Sequence, residues 1–340
     1  MALLKAAHMH GSWDTRPSGS VIYHNTNSSN FNPDYVECAL YMLNTDYALE
    51  LASPVSEAWL HLDFKGVAGR AANSSNFGFY HDNTPLLECY ATAGFSFFGN
   101  PSGPADVAFR TAAGKLTGSD LPAGALRTLD MHLRIVDGGV STIDIYVNDT
   151  LFISFNEVFP FAATTINRVR FTCAGTGIYV SQVIVANEPT VGWRAATVTR
   201  DQLFNFGTEN DWVGDPNYNA GSFSNNLCSK SAYDESTKLI AGSVGARSNT
   251  REAFTFPTTG PTNIAGVMVA ATGQNAPGSS INDIAWYHLN DGVYTFFPPF
   301  GITKDGNIHH GSVVALRNPS TNAPWTGVEI DDAFIGVAAV

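Results

Sequence analysis

The chain is short of charge. Asp, Glu, Lys and Arg make up 14% of its 340 residues, against roughly 25% in an ordinary soluble protein. Basic residues are the scarcer kind, 18 Lys and Arg against 30 Asp and Glu, for a formal net charge of −12. Phosphate recognition needs clustered cations, and Arg127, Arg134, Arg168 and Arg170 are scattered, although Arg168 and Arg170 share one strand face; nucleic acid is not an expected partner. Cysteine is also sparse. Cys38, Cys89, Cys173 and Cys228 show neither CxxC nor metal-type spacing, and Cys38 and Cys173 sit among apolar strand residues, so free buried thiols are expected rather than a disulfide framework. No run approaches the roughly 20 apolar residues of a membrane helix. The opening MALLKAAHMHGSWD breaks its short apolar run with Lys5, unlike a signal peptide. Membrane insertion and ordinary secretion are therefore not expected. Heptads, a Gly-X-Y tract, a fixed-period repeat, a P-loop, G-x-S-x-G and H-E-x-x-H are all missing.

What is present is alternation. In the stretch from Arg134 to Thr190, Ile143, Ile145 and Val147 point one way while Thr142, Asp144 and Tyr146 point the other. That is the period of a strand with one buried face. Asn148-Asp149 supplies a turn, because both residues tolerate positive φ, and Leu151, Ile153 and Phe155 resume the pattern. Strands over 166–173 and 177–186 follow, and the four are expected to form one antiparallel sheet buried on a second. Upstream, Trp59, His61 and Asp63 share one face of a strand and Leu60, Leu62 and Phe64 the other; 76–80, 85–91 and 129–136 read similarly. After Thr190 come a polar, aperiodic stretch over 203–238, an apolar run over 264–272, and strands over 284–289 and 292–297 around the Asn290-Asp291-Gly292 turn. An apolar strand, 334–340, closes the chain. The expected fold is all-β: two antiparallel β-sandwich domains of jelly-roll, lectin-like type in tandem, over 1–190 and 191–340.

The hairpin with its YVND turn, then INRVRF and YVSQVIVANEPT, resembles the C-terminal half of a concanavalin A/laminin-G-like sandwich. The exit through Glu188-Pro189-Thr190 to Gly192-Trp193-Arg194 resembles a subset found in tailed-bacteriophage virion and tail proteins. Asn318-Pro319-Ser320-Thr321 with Pro324-Trp325-Thr326, an acidic segment and a final FIGVAAV are similar to the close of phage tail-associated domains. The resemblance includes no catalytic motif.

Candidate sites are few. Tyr80-His81-Asp82-Asn83, read as a loop, and Trp212 with Asp215 place aromatics beside amides and carboxylates, as a glycan or subunit contact requires. Calcium is a further possibility, since lectin-like sandwiches often hold it and Asp63, Asp82, Asn83, Asp137, Asn148 and Asp149 are oxygen ligands of the right kind; they are equally ordinary turn residues, and no cofactor is expected. His309-His310-Gly311 reads as a loop. A glycosidase needs paired carboxylates, whereas the strand over 142–147 offers only Asp144 outward. The resemblance thus implies a non-enzymatic structural component of a tailed-phage particle. It would sit in a tail tip, tail fibre or baseplate, bind other virion proteins as a homo-oligomer (a trimer by family habit), and bind a host surface carbohydrate in host attachment. It would assemble in the host cytoplasm and leave by lysis. Alternatives are a capsid decoration protein, a free calcium-dependent lectin and a polysaccharide-degrading enzyme.

Overall fold

The computed structural model describes residues 3–7, 13–15, 23–25, 39–42, 45–66, 75–91, 106–116, 121–122, 126–173, 178–193, 212–214, 239–241, 251–255, 264–274, 283–290, 293–301, 308–331 and 334–339. The fold is all-β with antiparallel sheets. The chain divides into two compact units, Met1–Ala195 and Ala196–Val340.

The first unit holds β1 (Leu3–Ala7), β2 (Tyr23–Asn25), β3 (Ala39–Met42), β4 (Thr45–Val55), β5 (Glu57–Gly66), β6 (Ser75–His81), β7 (Thr84–Ala91), β8 (Asp106–Thr111), β9 (Gly114–Lys115), β10 (Leu121–Pro122), β11 (Arg127–Arg134), β12 (Ser141–Val147), β13 (Thr150–Glu157), β14 (Ile166–Cys173) and β15 (Ile178–Ala186). An eight-stranded sheet runs β13-β12-β11-β5-β15-β3-β2 with β1 on β15, and a seven-stranded sheet runs β10-β8-β7-β6-β14-β4 with β9 on β8. The 142–186 stretch therefore does not form one sheet: β14 leaves for the seven-stranded sheet and β15 returns. Periodicity fixes which side chains of a strand are buried, but not which sheet receives them.

One core lies between the sheets. Leu60, Leu62, Leu129, Met131, Leu133, Ile143 and Ile145 meet Phe77, Phe79, Cys89, Phe109, Val169 and Phe171 across it. Trp13, buried, sets its ring 5.4 Å from Tyr47 and 5.0 Å from Phe171, edge on. Burying a large apolar side chain contributes about 1.5–3 kcal/mol. Cys89 and Cys173 are buried in this layer, and burial pushes the Cys89 thiol well above its ordinary pKa. Cys38 and Cys228 lie outside the described residues. The 148–149 turn is as the sequence predicts, with φ of 50° at Asn148 and 62° at Asp149.

The second unit holds β16 (Trp212–Gly214), β17 (Leu239–Ala241), β18 (Arg251–Thr255), β19 (Val267–Gln274), β20 (Asp283–Asn290), β21 (Val293–Phe296), β22 (Phe300–Gly301), β23 (Ile308–Ala315), the short helix α1 (Gly327–Asp331) and β24 (Phe334–Ala339). A five-stranded sheet runs β18-β24-β20-β21 with β22 on β20, and β19 pairs with β23. His309 and His310 are not in a loop. They lie on β23, opposite Gly273 and Thr272. The acidic segment is α1, opened by a reciprocal cap: Glu329 N–H donates to Thr326 Oγ1 at 3.3 Å, and Thr326 N–H to Glu329 Oε2 at 2.8 Å.

Candidate functional site

Both sheets of the first unit carry polar side chains on the face turned away from the core. On the eight-stranded sheet, β5 presents Trp59, His61 and Asp63, and β11 presents Thr128, Asp130 and His132 in register with them. His61 and Asp130 are each 0% exposed, with Nδ1 and Oδ1 2.9 Å apart. Thr190 donates its hydroxyl to the same Asp130 oxygen at 2.6 Å. Asp63 accepts from Thr128 Oγ1 at 2.7 Å and from Gln182 Nε2 at 2.6 Å. Gln182 sits at the irregularity between Ser181 and Ile184, with φ of 54°. His132 lies 3.0 Å from both Asp144 Oδ2 and Glu57 Oε1, stacked on Trp59 at 4.3 Å. Residues 187–193 cross this face, since Thr190 reaches Asp130 and Gly192 N–H reaches Asp149 Oδ1 at 3.1 Å. The side chains at its centre are enclosed.

The seven-stranded sheet differs. One row across it reads Arg110, Glu88, Gly78, Arg170 and Ala48; a second reads Tyr90, Asn76, Thr172 and Asp46; Tyr80 stands opposite Arg168, which faces Glu50. Glu88 is the centre. It is 4% exposed and accepts hydrogen bonds from Tyr80 Oη and Asn76 Nδ2, both short, and from Arg110 Nε at 2.8 Å. Asn76 Nδ2 also reaches Tyr80 Oη at 3.2 Å. Burial, then the hydrogen bond to Glu88 and its charge, raise the Tyr80 pKa far above that of a free phenol, with Arg170 and Arg110 opposing. The Arg110 guanidinium lies 4.5 Å over the Tyr90 ring and that of Arg170 6.0 Å from the Tyr80 ring. Arg168 and Arg170 reach Glu50 at 2.6 Å and Asp46 at 3.2 Å. Gly78 leaves the middle of the row bare. A Cβ there would meet the Leu87 carbonyl oxygen at 2.0 Å.

The sequence-predicted contact residues part company. Tyr80 and His81 end β6 and only Asp82 and Asn83 make the turn, Asp82 with φ of 53°. Tyr80, 3% exposed, joins the Glu88 cluster, while His81 Nδ1 lies 3.0 Å from the Thr165 carbonyl oxygen. Asp82 accepts from Asn167 Nδ2 at 2.7 Å, and Asn83 Oδ1 accepts from Arg168 at 3.0 Å. The turn thus fastens β6 to β14 instead of offering an exposed aromatic. Trp212 lies on β16 and Asp215 outside the described residues. The oxygen ligands considered for calcium do not form one group: Asp82 and Asn83 lie at the β6–β7 turn and Asp137 follows β11, whereas Asp63 on β5 and Asn148, which makes the β12–β13 turn with Asp149, both accept from Thr128, from its Oγ1 at 2.7 Å and its N–H at 3.1 Å. No group of three or more His, Cys, Asp or Glu suited to a metal occurs among the described residues. Periodicity could place Glu88, Arg110 and Asn76 on outward faces. Their convergence on Tyr80 depends on register, which no local pattern carries.

No family model matches the sequence, and no curated protein does. Solved structures do. An endo-β-1,4-glucuronan lyase from the fungus Trichoderma reesei matches at TM-score 0.38 and 10% identity, over 55% of this chain and 96% of that one. The carbohydrate esterase of Shiga toxin-encoding bacteriophage phi24B matches at 0.36 and 12%, over 55% and 99%, and alginate lyase Aly36B at 0.33 and 10%, over 58% and 100%. These neighbours are carbohydrate-active β-sandwich proteins, mostly enzymes, and one is phage-borne. The expectation of a non-enzymatic structural component of a tailed-phage particle is corrected accordingly: the neighbours side with the polysaccharide-directed alternative. At these scores the likeness carries no argument about a reaction, which rests on the side chains themselves.

Proposed function

We propose that the first unit processes polysaccharide on the outer face of its seven-stranded sheet, with Tyr80 as the proton-transfer group. The observation that carries this reading is the convergence of Tyr80, Asn76 and Arg110 on one buried carboxylate, Glu88. Hydrolysis by paired carboxylates fits poorly. Among the described side chains, the other acids of this face, Asp46 and Glu50, are on β4, three strands from Glu88; at about 4.8 Å per strand that is roughly 14 Å, beyond the roughly 5–9.5 Å that either hydrolytic geometry uses.

Elimination needs no second carboxylate. A uronate held by the part-exposed Arg110 guanidinium and the Asn76 amide would have its carboxylate charge offset, which acidifies the adjacent C–H. Glu88 draws off the phenol proton as the Tyr80 oxygen takes the proton from that carbon. Tyr80 then hands it to the leaving glycosidic oxygen. The C–O bond breaks, a C=C bond forms, and Glu88 returns the phenol's proton. The raised Tyr80 pKa keeps the phenol protonated at neutral pH, so it passes its proton to Glu88 only as the carbon-bound proton arrives, and Glu88 is the net base.

The test is incubation of the purified protein with neutral and uronate-containing polysaccharides, following the ultraviolet absorbance of unsaturated chain ends. Cleavage of a uronate polymer that falls at least about a hundredfold in Tyr80→Phe, with the thermal melt retained, is the expected result. New reducing ends without unsaturation, or no cleavage of any uronate polymer, would sink the reading.

A further inference from the structure

The second unit holds a serine and a histidine in direct contact, apart from anything used above. His288 lies on β20, between Ile335 of β24 and Thr295 of β21, and is 3% exposed. Its Nδ1 is 2.7 Å from Ser320 Oγ. Trp325 stands edge-on to the imidazole at 5.6 Å and is itself fixed by an Nε1–H bond to the Ala315 carbonyl at 3.0 Å.

Ser320 is half-buried, and its backbone is anchored. Its N–H donates to Asn318 Oδ1 at 2.9 Å, and the buried Asn318 donates Nδ2–H to Glu329 Oε1 at 3.0 Å. Asn318 N–H and O are closed on Ala323 and Asn322 at 2.9 and 2.8 Å. A hydroxyl held beside an imidazole by a fixed turn is the minimum arrangement for nucleophilic catalysis.

The charges fit that use. Burial lowers the His288 pKa below its ordinary value, with Glu329 pulling the other way. The ring is therefore neutral at pH 7 and able to accept a proton. Burial pushes the Glu329 pKa up, but the hydrogen bonds it accepts from Thr326, Asn318 and Thr321 outweigh this and hold it below the ordinary range. The fixed negative charge of Glu329 thus acts on the ring in the sense that favours an imidazolium.

We propose that Ser320 and His288 are a nucleophile–base pair for acyl transfer, acting on O-acyl esters. Ser320 Oγ attacks the acyl carbon as its proton passes to His288 Nδ1. The ester C–O bond breaks, and the departing alkoxide takes that proton. Water, deprotonated by His288, then releases the acid and restores the serine. Glu329 is a positioning residue, acting through its charge on His288.

The full chain is treated at pH 7.5 with a fluorophosphonate probe, and the modified peptide is located by mass spectrometry. An adduct on Ser320 is expected, absent in Ser320→Ala and slowed at least about tenfold in His288→Gln. If His288→Gln fails to melt cooperatively, the unaltered protein decides: its labelling rate should rise with pH through a midpoint below the ordinary histidine value of about 6.5. Glu329→Gln should move that midpoint down further, a shift that a purely structural glutamate would not cause. A folded chain without an adduct at Ser320, or labelling indifferent to both His288 and pH, overturns the proposal. The outcome is independent of the elimination reading, because Tyr80→Phe should leave labelling unchanged.

Discussion

The two outer faces of the first unit make similar use of charge to opposite ends. On the eight-stranded sheet the central acid and histidine are fully enclosed, and every contact of residues 187–193 described above draws the face shut. On the seven-stranded sheet the central acid is nearly as buried, but the cations of the face are not: the side chains of Arg110, which pairs with it, and of Arg168 and Arg170, which pair with Glu50 and Asp46, are 30%, 25% and 27% exposed. Hydrogen-bonded polar groups that are wholly buried serve the fold, because a partner lost there leaves a polar group that water cannot reach. Paired charges that remain half in solvent can exchange one partner for a ligand at small expense.

The sharpest way to break this contrast is Asp130→Ala. It strips the buried His61 ring and the Thr190 hydroxyl of their shared acceptor, and at about 1–3 kcal/mol for each buried group left unpaired, urea unfolding should show a loss of about 2–5 kcal/mol. A loss under about 1 kcal/mol would mean that the closed face is not structural. Gly78→Ala should come next, at about 1–3 kcal/mol, because the added Cβ meets backbone rather than a movable side chain. The smallest effect belongs to Asp46→Asn on the open face. It removes a part-exposed partner of Arg170 and should change stability by less than about 1 kcal/mol. A larger cost would place the open face with the closed one.

Much of the fold can be read from alternation. The 166–173 strand is bounded as expected, and the 148–149 turn is legible because two consecutive residues there favour positive φ. The strand over 45–55 is less easily read: Tyr47, Leu49 and Leu51 alternate as they should, but only Leu43-Asn44 separates it from β3, so the two merge into one run. His309 and His310 look like loop residues until β19 pairs with them, through Gly273 and Thr272 far upstream in the chain. The cap at Thr326 was available in the Thr-Gly-Val-Glu spacing. At the site, Tyr80 stands out in the sequence for its polar neighbours in the chain, yet the neighbours that matter are Glu88 and Arg110. They reach it through strand register, and register is a property of the folded sheet.

The crossing segment has a mechanical consequence. Were tension applied to the chain beyond residue 193, it would not act first on β15. Thr190 and Gly192 are moored to Asp130 and Asp149, so the pull would be spent on these two tethers before the last backbone pair of β15, Ala186 with Trp59, felt any load. The sheet would be spared unzipping from its end until both had parted, which makes the segment a strain relief for the strand it follows.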